Sequence, residues 1–359
     1  MPGKAIMLQD IKHSLKQIFV ISSIIIFLIL SLFKVNYASE IQVLHSKQSP
    51  FEKVDVLNNF AQISESDTQE GRLKIGVNVD LITIYTSVFD KDGRFISGLK
   101  KEDFNLYEDG TLQEIAYFSQ VDIPITIGIV VDLSASMQDK IEQVNKAARA
   151  FIQASNPNDQ IFLIGFDDTV ELLQGFTGDV DEITDALDNA IVSGGTALYD
   201  AVYLGVEEAH KGNRDKKALV VITDGEDQDS FYTLKNLVSF VQESDVQIFN
   251  IGFLDEIPDK RLFSKWFKTD TEKARDALIR FSEESGGKAY FPEDIVDIHG
   301  IVSEIASELR NQYSIGYFSS NEKRDGSWRR VVVKLNSKAI PNPIIRHRSG
   351  YYAPKDSNQ

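Results

Sequence analysis

Two apolar runs in the middle of the chain predict a buried parallel sheet. Ile125–Val131 and Ala218–Ile222 are almost uninterrupted by polar residues, which is typical of strands covered on both faces. Strands and helices alternate around them, so we expect a doubly wound, mostly parallel α/β sheet flanked by helices. Strands are expected near 125–131, 160–166, 217–223, 246–252, 288–291 and 312–318, with an antiparallel edge strand near 169–173. Helices are expected near 137–154, 181–191, 197–211, 231–243, 275–285 and 294–310.

The segments on either side of this region have a different pattern. From Leu73 apolar and polar residues alternate, and Asp-Gly pairs at 92–93 and 109–110 are hairpin signals, so residues 73–121 predict a small antiparallel β module. Two further strands are expected at 328–335 and 344–348. We expect them to pair with the β module and form a β-sandwich, which makes the central domain an insertion. The alternative is an extra edge on the central sheet.

The amino-terminal region predicts export or anchoring. Ile18–Phe33 is apolar apart from serines, and Lys4, Lys12 and Lys16 precede it, as in a secretory signal or a membrane anchor. We interpret residues 1–38 as an uncleaved N-terminal hydrophobic helix that anchors the chain in a membrane, with a cleaved signal peptide as the alternative. Either interpretation places the rest of the chain outside the cytoplasm. The expected domains are then 1–38, a polar tether at 39–72, the β module at 73–121, the central domain at 122–319 and C-terminal strands at 320–359.

The charge of the chain is unevenly distributed. Residues 1–38 carry four lysines and one aspartate, and residues 321–359 carry nine Lys/Arg and three Asp/Glu, so the net charge of −16 becomes −25 over residues 39–320. Such an acidic body repels phosphate backbones, so we expect no nucleic-acid partner. The chain has no cysteine, which excludes disulfides, thiolate metal sites and cysteine nucleophiles.

Oxygen-bearing side chains follow the two predicted central strands. Asp132, Ser134 and Ser136 come directly after the first strand, and Asp224 comes directly after the second. Thr196 lies in a glycine-rich loop that opens a helix. Carboxylates and hydroxyls are hard ligands that suit Mg²⁺ or Ca²⁺, and the carboxyl edge of an open α/β sheet is where ligands bind. The alternative is that one of the two serines simply caps the following helix.

Three motifs carry a family resemblance. Asp-x-Ser-x-Ser at 132–136, Gly-Gly-Thr at 194–196 and Thr-Asp-Gly at 223–225 resemble the metal-ion-dependent adhesion site of the von Willebrand factor type A domain. The resemblance covers about residues 123–318, and the β segment before it resembles that of a group of bacterial secreted proteins with this domain. It implies that Asp132, Ser134, Ser136, Thr196 and Asp224 hold one divalent metal, and that a partner carboxylate completes the coordination.

The residues favour binding over turnover. No nucleotide-binding glycine motif or Gly-x-Ser-x-Gly elbow is present, and none of the five histidines stands at a predicted strand end beside the site, so we expect no enzyme activity. The expected cofactor is Mg²⁺, with Ca²⁺ or Mn²⁺ as alternatives. The expected partner is a protein that supplies an Asp or Glu. Two alternatives stay open: an assembly or cofactor-insertion factor that works with an ATPase, and a scaffold whose metal serves stability alone.

Two other features have a structural and a functional interpretation. The charged insertion between Phe253 and Arg275 contains Trp266, for which we expect either partner contact or packing onto the domain. Acidic residues follow several predicted strands near the site, and we expect either that they attract divalent cations or that they are ordinary solvated loop charges. They are Asp167, Asp168, Glu226, Asp227 and Asp229.

Overall fold

The computed structural model describes most of the chain after residue 79. The described residues are 80–153, 155–224, 227–254, 269–336 and 340–355, and they all fall within one compact unit, Val77–Gln359. The expected anchor, the tether and Trp266 with most of its insertion lie outside the described residues. Among the described helices, none combines the length and the apolar character that crossing a membrane requires.

The described residues form strands and helices close to the expected positions. The strands are β1 (Leu81–Phe89), β2 (Phe104–Glu108), β3 (Thr111–Gln113), β4 (Ile115–Ser119), β5 (Ile125–Asp132), β6 (Gln160–Phe166), β7 (Val170–Thr177), β8 (Lys216–Thr223), β9 (Val246–Gly252), β10 (Ala289–Tyr290), β11 (Tyr313–Phe318), β12 (Trp328–Leu335), β13 (Ile344–Arg346) and β14 (Gly350–Tyr352). The helices are α1 (Ile141–Gln153), α2 (Val180–Asp188), α3 (Leu198–Lys211), α4 (Leu234–Glu243), α5 (Asp270–Ser285) and α6 (Ile298–Asn311).

The central sheet is doubly wound. Its strand order is β10-β9-β8-β5-β6-β7. All neighbouring pairs are parallel except β6 and the edge strand β7, which are antiparallel. Helices α1, α2 and α6 pack on one face, and α3, α4 and α5 pack on the other. The predicted fold class, a mostly parallel α/β sheet with additional antiparallel sheets, is confirmed.

The order of the strands has a consequence for ligand binding. Within the central sheet, the first strand in sequence is β5. The chain continues outward through β6 and β7 and then returns to the other side of β5 at β8. The carboxyl ends of β5 and β8 therefore flank the topological switch point, where open α/β sheets bind their ligands. Both strands are buried along almost their whole length.

Strands from both sides of the central domain form two antiparallel four-stranded sheets. Their orders are β13-β1-β11-β4 and β14-β12-β2-β3. The C-terminal strand β12 pairs with β2, and β13 pairs with β1. The two sheets share one apolar core, in which Ile84 and Tyr313 from the first sheet meet Leu106 and Val333 from the second. The central domain is thus inserted into a β-sandwich.

One strand belongs to a different sheet from the expected one. The sequence predicts a strand at 312–318 in the central domain, but β11 pairs with β1 and β4 in the sandwich. The run Tyr313–Tyr317 is buried throughout, and such a run resembles a central parallel strand. Its antiparallel partners, rather than its composition, determine where it lies.

The second Asp-Gly pair forms the turn that its sequence predicts. Asp109 and Gly110 both have positive φ, 47° and 83°, and they join β2 to β3 in a two-residue hairpin. Positive φ at both central positions is the geometry that favours Asp-Gly in such turns.

Candidate metal site

The site is built at the carboxyl ends of β5 and β8. Asp132 is the last residue of β5 and is fully buried. Its Oδ2 accepts a 2.5 Å hydrogen bond from the hydroxyl of Thr223, the last residue of β8. Its Oδ1 accepts the backbone N–H of Ser134 at 2.9 Å. The neighbouring strand β8 and the backbone of the loop that follows β5 thus each hold one oxygen of the carboxylate.

A chain of short contacts connects the remaining side chains of the first and third motifs. The hydroxyls of Ser134 and Ser136 lie 3.1 Å apart. The Ser136 hydroxyl donates to Oδ1 of Asp224 at 2.9 Å. Ser134 is buried, whereas Ser136 is exposed. Four of the five predicted site residues therefore form one connected cluster.

The loop that carries Thr196 is held against the site by backbone hydrogen bonds. The N–H of Ser193 donates to the carbonyl of Leu133 at 2.8 Å, and the N–H of Ala135 donates to the carbonyl of Gly194 at 3.4 Å. Thr196 itself is buried. These bonds hold the glycine-rich loop against the loop that follows β5.

The serines do not act as helix caps. Ser134 occupies the N-cap position of a short 3₁₀ turn, Ala135–Met137, but its side chain makes no capping hydrogen bond. The hydroxyl of Ser136 is directed to Asp224 instead. The capping alternative therefore does not account for the two hydroxyls.

The donor set fits a small hard cation. Mg²⁺ holds its oxygen ligands at about 2.1 Å in an octahedron, so neighbouring ligands lie about 3.0 Å apart. The two serine hydroxyls lie 3.1 Å apart and Ser136 lies 2.9 Å from Asp224, which are hydrogen-bond lengths and are also compatible with ligands of one small ion. Among the described residues, no group of three or more His, Cys, Asp or Glu side chains is arranged to hold a metal. A site here therefore depends on hydroxyls as well as on its two carboxylates.

Burial affects the charge state of the site. It raises the pKa of Asp132, and the negative charge of Asp224 raises it further, although hydrogen bonds from Ser134 and Thr223 act in the opposite direction. A buried carboxylate with a raised pKa gains from a nearby cation. The burial of Asp132 therefore favours a bound cation at this site.

Several acidic residues hold the glycine-rich loop, which the interpretation as solvated charges missed. Asp229 accepts the backbone N–H of Thr196 at 2.9 Å, and Asp227 accepts that of Tyr199 at 3.1 Å. Asp167 accepts the Ser193 hydroxyl at 3.2 Å. These carboxylates fix the loop that carries Thr196. Asp168 is exposed, and Glu226 lies outside the described residues.

Sequence reasoning also missed two residues that contact the site directly. Thr223 donates to Asp132; the Thr-Asp-Gly motif contains this residue, but it was not among the predicted site residues. The ammonium of Lys140 contacts Oδ2 of Asp224. Lys140 lies four residues after Ser136, at the end of the turn that precedes α1.

A family model agrees with this architecture and motif order. Residues 127–226 match the model described as von Willebrand factor type A domain. The central domain has a von Willebrand factor type A-like fold. The match contains all five predicted site residues, and the sandwich lies outside it.

Two curated relatives are similar to parts of the chain. An uncharacterized protein of Synechocystis sp. is 29% identical over 141 residues, which are 37% of this chain and 33% of that protein. An uncharacterized protein of Borreliella burgdorferi is 24% identical over 228 residues, which are 60% of this chain and 62% of that protein. The chain thus spans about a third of the first relative and about three fifths of the second.

Solved structures show more distant likenesses. An aerotolerance-related membrane protein from Bacteroides fragilis is 21% identical, covers 52% of this chain and 98% of its own, and has a TM-score of 0.40. The vWF domain of a type V pili tip protein from Porphyromonas gingivalis is 11% identical, covers 52% and 95%, and has a TM-score of 0.41.

Proposed function

We propose that the type A domain binds an acidic protein partner through a divalent metal, with Mg²⁺ as the expected ion. The observation that carries the proposal is the cluster of Asp132, Ser134, Ser136 and Asp224 at the switch point, in which the Ser136 hydroxyl lies 3.1 Å from that of Ser134 and 2.9 Å from Oδ1 of Asp224. Thr196 would complete the set from the adjoining loop. The family match supports a role in protein interaction or adhesion rather than in turnover.

These residues would leave the metal able to accept a further anion. Two carboxylates and three hydroxyls are a weakly charged set for a divalent ion, so a bound metal would attract a carboxylate from outside. Ser136 is exposed, which puts the cluster at the surface of the domain. Asp132 and Ser134 are buried and would keep their positions when a partner binds, because Thr223 and the loop backbone hold them. Preorganised ligands lower the free energy needed to form the bound state.

We further propose that the domain works outside the cytoplasm. The support is the sequence of residues 1–38, where lysines precede the apolar segment Ile18–Phe33. An extracytoplasmic location favours a ligand-binding or adhesion role over assembly with a cytoplasmic ATPase. This proposal includes a membrane anchor at residues 1–38.

Metal binding is tested by isothermal titration calorimetry with MgCl₂ on the chelator-treated full-length chain in mild detergent. We expect wild type to bind and Ser136→Ala to bind at least about tenfold more weakly, since it removes one ligand without opening the core. Ser303→Ala is the control, because Ser303 is exposed on α6 and its hydroxyl bonds only within that helix, to His299. Equal Mg²⁺ affinity in wild type and Ser136→Ala would contradict the proposed ligand set.

Partner binding is tested by affinity capture from an envelope fraction with Mg²⁺ and then with chelator. We expect a captured protein that is released by chelator and absent with Ser136→Ala. A melting temperature that falls on chelation, with capture unchanged, would instead support a metal that serves stability alone.

A further inference from the structure

Lys140 places a positive charge directly on the candidate metal site. It immediately precedes α1, and its ammonium contacts Oδ2 of Asp224 and the backbone carbonyl of Ser136, the latter at 3.3 Å. The side chain of Asp224 is only 3% exposed, whereas that of Lys140 is 32% exposed. One of the two site carboxylates is therefore paired with a cation that the chain itself supplies.

This pairing occupies the oxygens that a metal would use. Oδ1 of Asp224 accepts the Ser136 hydroxyl, and Oδ2 contacts Lys140. No other cation forms an ion pair with Asp224 within the part of the chain that the structure describes. A divalent ion that ligates Asp224 must share or replace these contacts.

We propose that Lys140 is an internal counter-ion that competes with the divalent metal for Asp224 and thereby sets the metal affinity of the site. The inference rests on the proposed function, because it concerns the same site. Lys140 stabilises the charge of Asp224 when no divalent ion is bound, and its positive charge repels a divalent ion that binds to Asp224. Its long, partly exposed side chain can turn to solvent, so the competition is reversible.

The expected effect follows from the charges. A single and a double positive charge about 5 Å apart repel each other enough, even in a water-like dielectric, to change a binding constant by about tenfold. Removing the ammonium also leaves a nearly buried carboxylate without its ion-pair partner, which increases its attraction for a metal. Both effects act in the same direction, so the affinity should rise when Lys140 is neutralised.

A matched control is available on α1, the helix that follows Lys140. Lys146 lies on α1 and pairs with Glu142 at 2.6 Å, with about half of its side chain exposed. Lys146→Met removes the same charge from a nearby position without touching Asp224. It therefore reports the effect of net charge alone.

The experiment is calorimetric titration of MgCl₂ into the chelator-treated full-length chain in mild detergent. We expect Lys140→Met to bind Mg²⁺ at least about tenfold more tightly than wild type, and Lys146→Met to bind within about twofold of wild type. Lys140→Gln provides a second neutral variant if the first does not fold. Binding to Lys140→Met without detectable binding to wild type would also support the competition.

The outcomes separate this inference from the proposed function. If wild type binds Mg²⁺ and the Lys140 variants bind it equally or more weakly, the competition is refuted and the metal site stands. If neither wild type nor any Lys140 variant binds a divalent ion, the proposed function fails and the inference fails with it. If Lys146→Met tightens binding as much as Lys140→Met, the effect is one of net charge and the inference is refuted.

Discussion

A buried carboxylate connects the two parts of the β-sandwich across the inserted domain. Glu108, at the end of β2, is 2% exposed. Its Oε2 accepts hydrogen bonds from the hydroxyls of Tyr317 and Tyr351, both at 2.8 Å, and its Oε1 accepts one from Ser319 at 2.5 Å. All three donors follow the central domain in sequence, whereas Glu108 precedes it. The cluster therefore stabilises the closure of the chain around the insertion.

We predict that Tyr317→Phe and Tyr351→Phe each lower the free energy of unfolding by about 1.5–3 kcal/mol. Hydrogen bonds to a charged group contribute about this amount, and a buried carboxylate that loses a donor is left partly unsatisfied. The loss for Tyr317→Phe should lie at the upper end of this range, because Tyr317 is fully buried. Both hydroxyls donate to the same oxygen, so the loss in the double variant should differ from the sum of the single losses by at least about 0.5 kcal/mol.

The measurement is urea unfolding at pH 7, followed by circular dichroism. Tyr352→Phe is the control, since Tyr352 is 38% exposed and contacts Trp328 through its ring, without a contact to Glu108. The control should change stability by less than about 0.5 kcal/mol. If Tyr317→Phe and Tyr351→Phe change the free energy of unfolding as little as Tyr352→Phe does, the hydrogen bonds to Glu108 do not stabilise the sandwich.

Three further predictions concern single residues. Burial lowers the pKa of Lys216 from 10.5 to about 7. The unfolded state therefore binds more protons than the folded state above pH 7, and the free energy of unfolding should rise toward pH 10. Lys216→Met should remove this rise in urea unfolding, and an unchanged dependence of stability on pH would contradict the prediction. In Gly195→Ala the new Cβ would lie 2.0 Å from Oδ2 of Asp229, so we expect Mg²⁺ to bind about tenfold more weakly in calorimetric titration. Wild-type affinity in a folded variant would refute a role of the glycine-rich loop in metal binding. In Gly287→Ala the Cβ would lie 2.0 Å from the backbone oxygen of Ile248, so calorimetric unfolding should show a loss of about 2 kcal/mol or more, and a loss below about 0.5 kcal/mol would contradict this.

The sequence was most informative where burial determines the pattern. β5 and β8 are apolar along their length because helices cover both faces of the sheet, and this makes their ends easy to locate. The polar residues that follow, Asp132 and Asp224, must then lie at one edge of the sheet. Their proximity could be predicted because parallel strands in register end together.

The parts that sequence reasoning missed depend on contacts between distant segments. A buried apolar run such as Tyr313–Tyr317 fits the centre of a parallel sheet or the core of a sandwich equally well, and only pairing with β1 and β4 decides between them. The ion pair of Lys140 with Asp224 joins residues 84 positions apart. It depends on the path of the turn between Ser136 and α1, which no local pattern specifies.

The topology also fixes the direction in which the site faces. The chain enters the central domain at Ile125, at the amino end of β5, whereas Asp132 lies at the carboxyl end of this eight-residue strand, roughly 23 Å away at about 3.3 Å per residue. Buried Asp159 ties the entry and exit points together, because it accepts the N–H of Ile125 at 2.8 Å and pairs with Arg310 near the end of α6. The exit at the end of α6 therefore lies at the same edge as the entry. The candidate metal site consequently faces away from the sandwich, and its orientation is fixed by buried polar contacts rather than by a flexible linker.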